Sequence, residues 1–169
     1  MSDELIRTLN EDGDSLYRIA WRILGRSAEV DDVLQEVVLQ ALNITDQQSV
    51  NSWTGLLKRM TVCRALDRLR RRKTHQVFLE ADFPSERNSP VEDAIGLELE
   101  TRLRKALARL PSRQAEVFSL RYFDDCSNRE IAESLGVSPA AVATALRSAR
   151  LRLAEMLEIE LERGRHEFQ

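Results

Sequence analysis

The chain has 169 residues, of which 43% are hydrophobic, 31% charged and only 5% aromatic, enough for one ordinary domain or two small ones. That mix speaks against a thick β-sandwich and for helical bundles built on Leu, Val, Ile and Ala; no apolar run approaches the roughly 20 residues that span a bilayer. The net charge of −3 excludes a generally basic protein, but it is unevenly spread.

Leu16, Ile19, Ala20, Ile23 and Leu24 follow the spacing of one helix face and stop near Gly25. Val30, Val33, Leu34, Val37, Val38, Ala41 and Leu42 repeat that spacing. Trp53, Leu56, Leu57 and Met60 begin a third stripe that continues toward Leu66 and Leu69. Residues 1–52 carry four basic and ten acidic side chains, whereas residues 53–73 carry eight cations against Asp67 alone. One strongly basic helix in a mildly acidic chain points to a focused nucleic-acid contact. A helix end complementing its own dipole would also carry Lys and Arg, but eight cations exceed that need.

After Lys73 the helical period disappears, and Pro84, Ser85, Asn88, Ser89 and Pro90 mark a linker. The expected organisation is all-α: a three- or four-helix domain over 1–73, an acidic flexible linker over 74–92 and a second helical domain over 93–169. In the second domain Leu97, Leu103, Ala106, Leu107 and Leu110 share a face. Pro111 is expected as the first residue of the next helix, whose core contacts are Ala115, Val117, Phe118 and the run Leu120 to Phe123. No β-period and no internal repeat occurs.

The stretch Ser127 to Leu161 has the grammar of a helix-turn-helix. Ser127 and Glu130 form a capping box. Ile131, Ala132 and Leu135 face inward, Gly136 leaves the helix in the left-handed region, and Val137 plugs the angle. Ser138 caps the second helix and Pro139 starts it. Val142, Leu146, Ala149, Leu153 and Met156 form its buried stripe. Ala140, Ala141, Ala143, Thr144, Arg147, Ser148 and Arg150 lie outside that stripe, where such a helix meets base edges. Thr144 and Ser148 can hydrogen-bond, and Arg147 can grip guanine through two bonds. On pattern alone, an αα-hairpin with no DNA contact remains open.

Little here suggests covalent chemistry. Cys63 and Cys126 are far apart without CxxC spacing, and His75 and His166 are isolated. No nucleophile–base pair, phosphate-cradling glycine loop or metal cluster is present, so neither enzyme, cofactor nor metal is expected. The acidic start Met1-Ser-Asp-Glu-Leu lacks the features of a secretory signal, and a reducing cytoplasm fits the cysteine usage.

The order of these parts resembles the extracytoplasmic-function sigma factors of bacterial RNA polymerase. "AEVDDVLQEVVLQAL" looks like the family's second region, "ALDRLRRRK" like the basic end of its promoter-melting helix, and "LARLPSRQAEVFSLRYFDDCSNREIAESLGVSPAAV" like its fourth region. The resemblance implies a subunit that binds core RNA polymerase through the clamp helices of the largest subunit and the flap, and directs it to promoter DNA. It assigns polymerase binding to Asp32, Gln35 and Glu36, which geometry places on one edge of a helix at i, i+3 and i+4. It assigns the element near minus ten to Asn43, Gln48, Asn51, Lys58, Arg59, Arg64, Arg68 and Arg71, with a flipped base held by the polar loop from Asn43 to Ser52. The element near minus thirty-five falls to Arg129, Ser138, Ala140, Ala141, Thr144, Arg147, Ser148 and Arg150, with Arg121 and Arg129 reaching phosphates. Glu80 to Glu100 resembles the family's acidic connector. An anti-sigma factor is a partner the resemblance allows; membrane insertion is not expected.

The chain departs from the pattern in three places. Val62-Cys63 stands where many members have Arg-Asn, Leu56 where they have Trp, and Ala143 and Ala145 where they have Lys and Arg. Trp53 is expected in the core, Cys63 as a half-buried small residue, and the upstream contact as weak and salt-sensitive. Two other readings stay open: an autonomous helix-turn-helix regulator, and a sigma-like adaptor that binds polymerase without melting promoters.

Overall fold

The computed structural model describes residues 3–45, 50–74 and 90–167. Among these residues seven helices occur and no strand: α1 (Asp3–Leu24), α2 (Ser27–Thr45), α3 (Trp53–Thr74), α4 (Pro90–Arg109), α5 (Ser112–Phe123), α6 (Asn128–Leu135) and α7 (Pro139–Glu167).

The apolar stripe of α1 begins earlier than its clearest stretch suggests, because Leu5 is fully buried and Thr8 turns its hydroxyl to Glu4 O at 2.8 Å. The helix ends where Gly25 adopts φ +65 and donates its N–H to Trp21 O at 2.7 Å. Glycine is needed there twice over. The backbone is left-handed, and a Cβ would meet the Arg104 guanidinium carbon at 2.6 Å.

Helix α3 is the centre of the molecule, touching α1 and α2 on one side and α4, α5 and α6 on the other. A helix sandwiched in this way is apolar on more than one face. Leu57, Leu66 and Leu69 are therefore fully buried, and so are Val62, Ala65 and Thr61, which lie outside the expected stripe. Thr61 satisfies its hydroxyl on Leu57 O at 2.8 Å. Trp53 is core, only 4% exposed. Each such large aliphatic side chain contributes about 1.5–3 kcal/mol by burial.

Several boundaries differ from expectation. Pro90 opens α4, so residues 90–92 of the expected linker, and the connector from there to Glu100, are helical. Proline is suited to a first helical turn, where its missing N–H is not needed. The remainder of the expected linker lies outside the described residues. Pro111 is the N-cap of α5 and not its first residue, its carbonyl accepting from Ala115 N at 3.0 Å. Arg121 and Tyr122 face solvent and do not serve the core; Leu120 is buried, and the Tyr122 ring packs tilted against Phe118 with centroids 4.6 Å apart.

The helix-turn-helix has the expected local chemistry. Ser127 Oγ accepts from Glu130 N at 3.2 Å while Glu130 Oε2 accepts from Ser127 N at 2.7 Å. Gly136 is left-handed at φ 66. Ser138 Oγ accepts from Ala141 N at 3.1 Å, and Val142, Leu146, Ala149 and Leu153 are buried.

Candidate nucleic-acid interface

The edge of α2 opposite its buried valines presents Asp32, Gln35 and Glu36 to solvent. Leu39, three residues beyond Glu36, is 63% exposed and extends that edge. Arg68 reaches across from α3, donating through Nη1 to Asp32 Oδ2 at 3.2 Å and through Nη2 to Glu36 Oε1 at 2.7 Å. The structure thus joins Arg68 to the acidic edge, although the sequence grouped it with the DNA-facing cations. Arg64, one turn earlier, donates to Gln40 Oε1 at 2.9 and 3.3 Å.

Around the α2–α3 connection Asn43 and Asn51 are exposed, Asn43 in the last turn of α2 and not in the loop. Gln48 lies outside the described residues. Ser52 closes the connection by accepting Gly55 N at 3.2 Å on its hydroxyl. Arg59 and Arg64 line a shallow cleft of about 430 Å³ with Gln40, Ile44, Leu56 and Met60. Arg71 is exposed. Arg72 is not available to a ligand: it is 8% exposed and donates to Glu29 Oε1 at 3.1 Å. Burial and the charges of Arg26 and Arg104 lower its guanidinium to about 10.

On the helix-turn-helix, Ala140, Ala141, Ala143, Thr144 and Arg147 point outward and Ser148 is half-buried. Several polar groups have local partners. Thr144 Oγ1 donates to Ala140 O at 3.0 Å, Arg150 Nη1 to Tyr122 Oη at 3.1 Å, Arg129 Nε to Glu133 Oε1 at 3.2 Å, and Arg121 Nη1 to Cys126 O at 3.1 Å. The Thr144 hydroxyl is thus spent on the backbone, whereas Arg147 is exposed on the outer face of α7.

Lys58, expected among the DNA-facing cations, is engaged by a carboxylate. Its Nζ lies 2.7 Å from Asp124 Oδ2, on the turn between α5 and α6. Asp124 also accepts from Ser15 Oγ at 2.7 Å and Cys126 Sγ at 3.1 Å. Burial alone would raise the Asp124 carboxyl, but those three hydrogen bonds win and hold it below the ordinary range. Sequence reasoning missed Asp124, because its partners come from α1 and α3; only the adjacent left-handed Asp125, at φ 53, marks the turn as unusual. Cys63 is half-buried and donates to Glu116 Oε1 at 3.3 Å; burial and that carboxylate push its thiol up to about 12.

Two family descriptions match the chain, Sigma-70 region 2 at residues 9–75 and Sigma-70, region 4 at residues 100–153. The positive control factor of Bacillus subtilis (strain 168) is 30% identical over 121 residues, covering 68% of this chain and 70% of its own. The chain belongs to the sigma-70 family. This sigma factor is also similar to the extracytoplasmic-function sigma factor SigW of the same organism, 25% identical over 156 residues, or 85% of this chain and 83% of SigW. SigZ of that organism is 29% identical over 133 residues, 76% of this chain and 73% of SigZ. The fold matches the sigma factor RpoE of Bartonella quintana, solved in complex with the anti-sigma factor NepR, with a TM-score of 0.60 and 20% identity over 94% of this chain and 99% of that one. The sigma factor falls in the extracytoplasmic-function group. Its acidic edge and basic helix lie within the region 2 match, and its helix-turn-helix within the region 4 match. Among the described residues no helix is long and apolar enough to cross a membrane.

Proposed function

We propose that this sigma factor, which directs RNA polymerase to promoters, docks on the clamp helices of the largest subunit through Asp32, Gln35 and Glu36, with Arg68 holding the two acids in place. The observation that carries this reading is the outward acidic edge of α2, backed by a fully buried valine stripe. Carboxylates presented on a rigid helix are pre-ordered for a cationic partner. Asn43, Gln48, Asn51, Lys58, Arg59, Arg64 and Arg71 serve the element near minus ten, the α2–α3 cleft being roomy enough for one unstacked base. The helix-turn-helix serves the element near minus thirty-five through Arg147, the exposed alanines and backbone–phosphate contacts. So few base contacts, each good pair worth roughly 1–3 kcal/mol, suffice because docking on the polymerase supplies a high effective concentration. The flap and an anti-sigma factor are further partners, and the protein works in the cytoplasm, as a transcription initiation factor.

Run-off transcription with bacterial core polymerase on pooled promoter fragments, alongside a core-binding assay, tests this. New transcripts that vanish with Asp32→Arg are expected. Core binding without transcripts would favour the adaptor reading. Tight promoter binding without any affinity for core would favour the autonomous regulator.

A further inference from the structure

Helices α5 and α7 pack against each other and bring an uncharged side chain onto a cation. Arg150 Nη1 of α7 donates to Tyr122 Oη of α5 at 3.1 Å. Both side chains are at the surface, Tyr122 being 41% exposed. The Tyr122 ring rests on Phe118, tilted by 38°, and Phe118 in turn meets Phe123 edge-on with centroids 5.9 Å apart. The anchor of Arg150 is therefore a packed aromatic ring and not a flexible acid.

Neighbouring cations are held differently. Arg129 is matched by Glu133 at 3.2 Å, Lys58 by Asp124 at 2.7 Å, and Arg68 by two acids. Each of these has an opposite charge to give up before it can meet a nucleic acid. The residues three and four positions from Arg150 on α7 are Leu146, Arg147, Leu153 and Ala154, none of them acidic. Among the described residues no carboxylate pairs with Arg150. Its tip is fixed while its charge stays uncompensated. A phenol that accepts through its oxygen also keeps a proton to donate. The pair thus offers guanidinium N–H groups and one O–H, and what it lacks is an anionic acceptor.

Residues three apart on an α-helix are turned by about 60° and raised by about 4.5 Å. Thr144, Arg147 and Arg150 therefore form a row that winds from the outer face of α7 toward α5, where Tyr122 stands. In the two-element reading of the previous section, on which this inference rests, Arg147 meets base edges and Arg150 lies at the rim of the groove. We propose that Arg150 and Tyr122 form a two-helix clamp for one backbone phosphate of the upstream element. Arg150 supplies the charge, and Tyr122 both holds it and donates its hydroxyl proton to the same phosphate. Such a contact fixes the register of α7 in the groove and carries no sequence information of its own. It supplies affinity where the exposed alanines of α7 supply little.

Holoenzyme reconstituted from bacterial core polymerase and the full chain provides the test. Promoter-complex affinity is measured over a range of potassium chloride concentrations, on templates with the natural or a scrambled upstream element. Arg150→Ala should lower affinity about tenfold at low salt on both templates and make the log–log salt slope shallower by about 1. Tyr122→Phe keeps the ring on Phe118 and removes only the hydroxyl. It should lower affinity several-fold on both templates and leave the melting temperature unchanged. In the Arg150→Ala background the same change should cost less than about twofold, since groups that share one partner do not act additively. No loss with Tyr122→Phe, or an equal loss with and without Arg150, would overturn the clamp alone. A loss confined to the natural upstream element would make the pair a base reader and overturn it as well. A natural protein that forms no promoter complex with core would overturn the two-element reading, and the clamp with it.

Discussion

Arg68 Nη2 lies 2.7 Å from Glu36 Oε1, and the same guanidinium reaches Asp32 one turn earlier on α2. A cation of the basic helix is thereby part of the acidic edge. The side chains of Asp32 and Glu36 remain 59% and 45% exposed, so the bridge contributes little to stability, about 0–1 kcal/mol. Arg68→Ala should leave the melting temperature and promoter-fragment affinity nearly unchanged and weaken core binding, as the two acids lose their common anchor. Reduced DNA affinity with intact core binding would return Arg68 to the DNA-facing set.

The Lys58–Asp124 pair has a defined pH window. Burial lowers the Lys58 ammonium, but the hydrogen bond and charge of Asp124 more than offset this and its pKa is raised; that of Asp124 is depressed. A depressed acid contributes stability above its unfolded value, about 3.9, and loses it as pH falls through the folded value. A raised base contributes below its unfolded value, about 10.4, and loses it as pH rises through the folded one. The melting-temperature difference between the natural protein and Asp124→Asn should therefore be flat from about pH 5 to 9 and shrink on both sides. A difference that changed steeply near neutrality would assign the effect to another group.

Both thiols are held protonated. Burial, then the hydrogen bond and charge of Asp124, push Cys126 up to about 12. Since the thiolate is the nucleophile, iodoacetamide at pH 8 should modify Cys126 slowly. Asp124→Asn should accelerate that reaction and leave Cys63, which faces Glu116, nearly unchanged. Equal acceleration at both cysteines would indicate general loosening of the fold.

Gly25 and Gly13 should respond oppositely to alanine. At Gly25 the added Cβ meets Arg104 and the backbone has φ +65, so Gly25→Ala should cost about 1–3 kcal/mol in denaturant unfolding. Gly13 sits within α1 with nothing within 4 Å of its Cβ position, and Gly13→Ala should add about 0.5–1 kcal/mol. A neutral Gly25→Ala would mean that the α1–α2 turn and Arg104 relax together.

Arg147 carries base discrimination in the two-element reading. Arg147→Ala should cut the preference for the correct upstream element by roughly 1–3 kcal/mol while leaving core binding intact. Template competition with a scrambled upstream element measures it; a uniform loss on both templates would make Arg147 a phosphate contact.

The sequence by itself determined the local features. The 3.6-residue period in Leu16 to Leu24 and Val30 to Leu42, the capping box of Ser127 and Glu130, and the glycine and proline punctuation at Gly136 and Pro139 each depend on neighbours within about a turn of helix, so they can be read along the chain. Only the tertiary structure decided that α3 is buried on more than one face, enclosing Thr61 and Val62, which lie outside its apolar stripe. It also decided that Lys58 and Arg68 face carboxylates. Those partners are brought together by packing across large separations, Ser15 and Asp124 lying 109 residues apart, and a cation's position in sequence does not reveal which distant acid will meet it. That choice follows from how the helices pack.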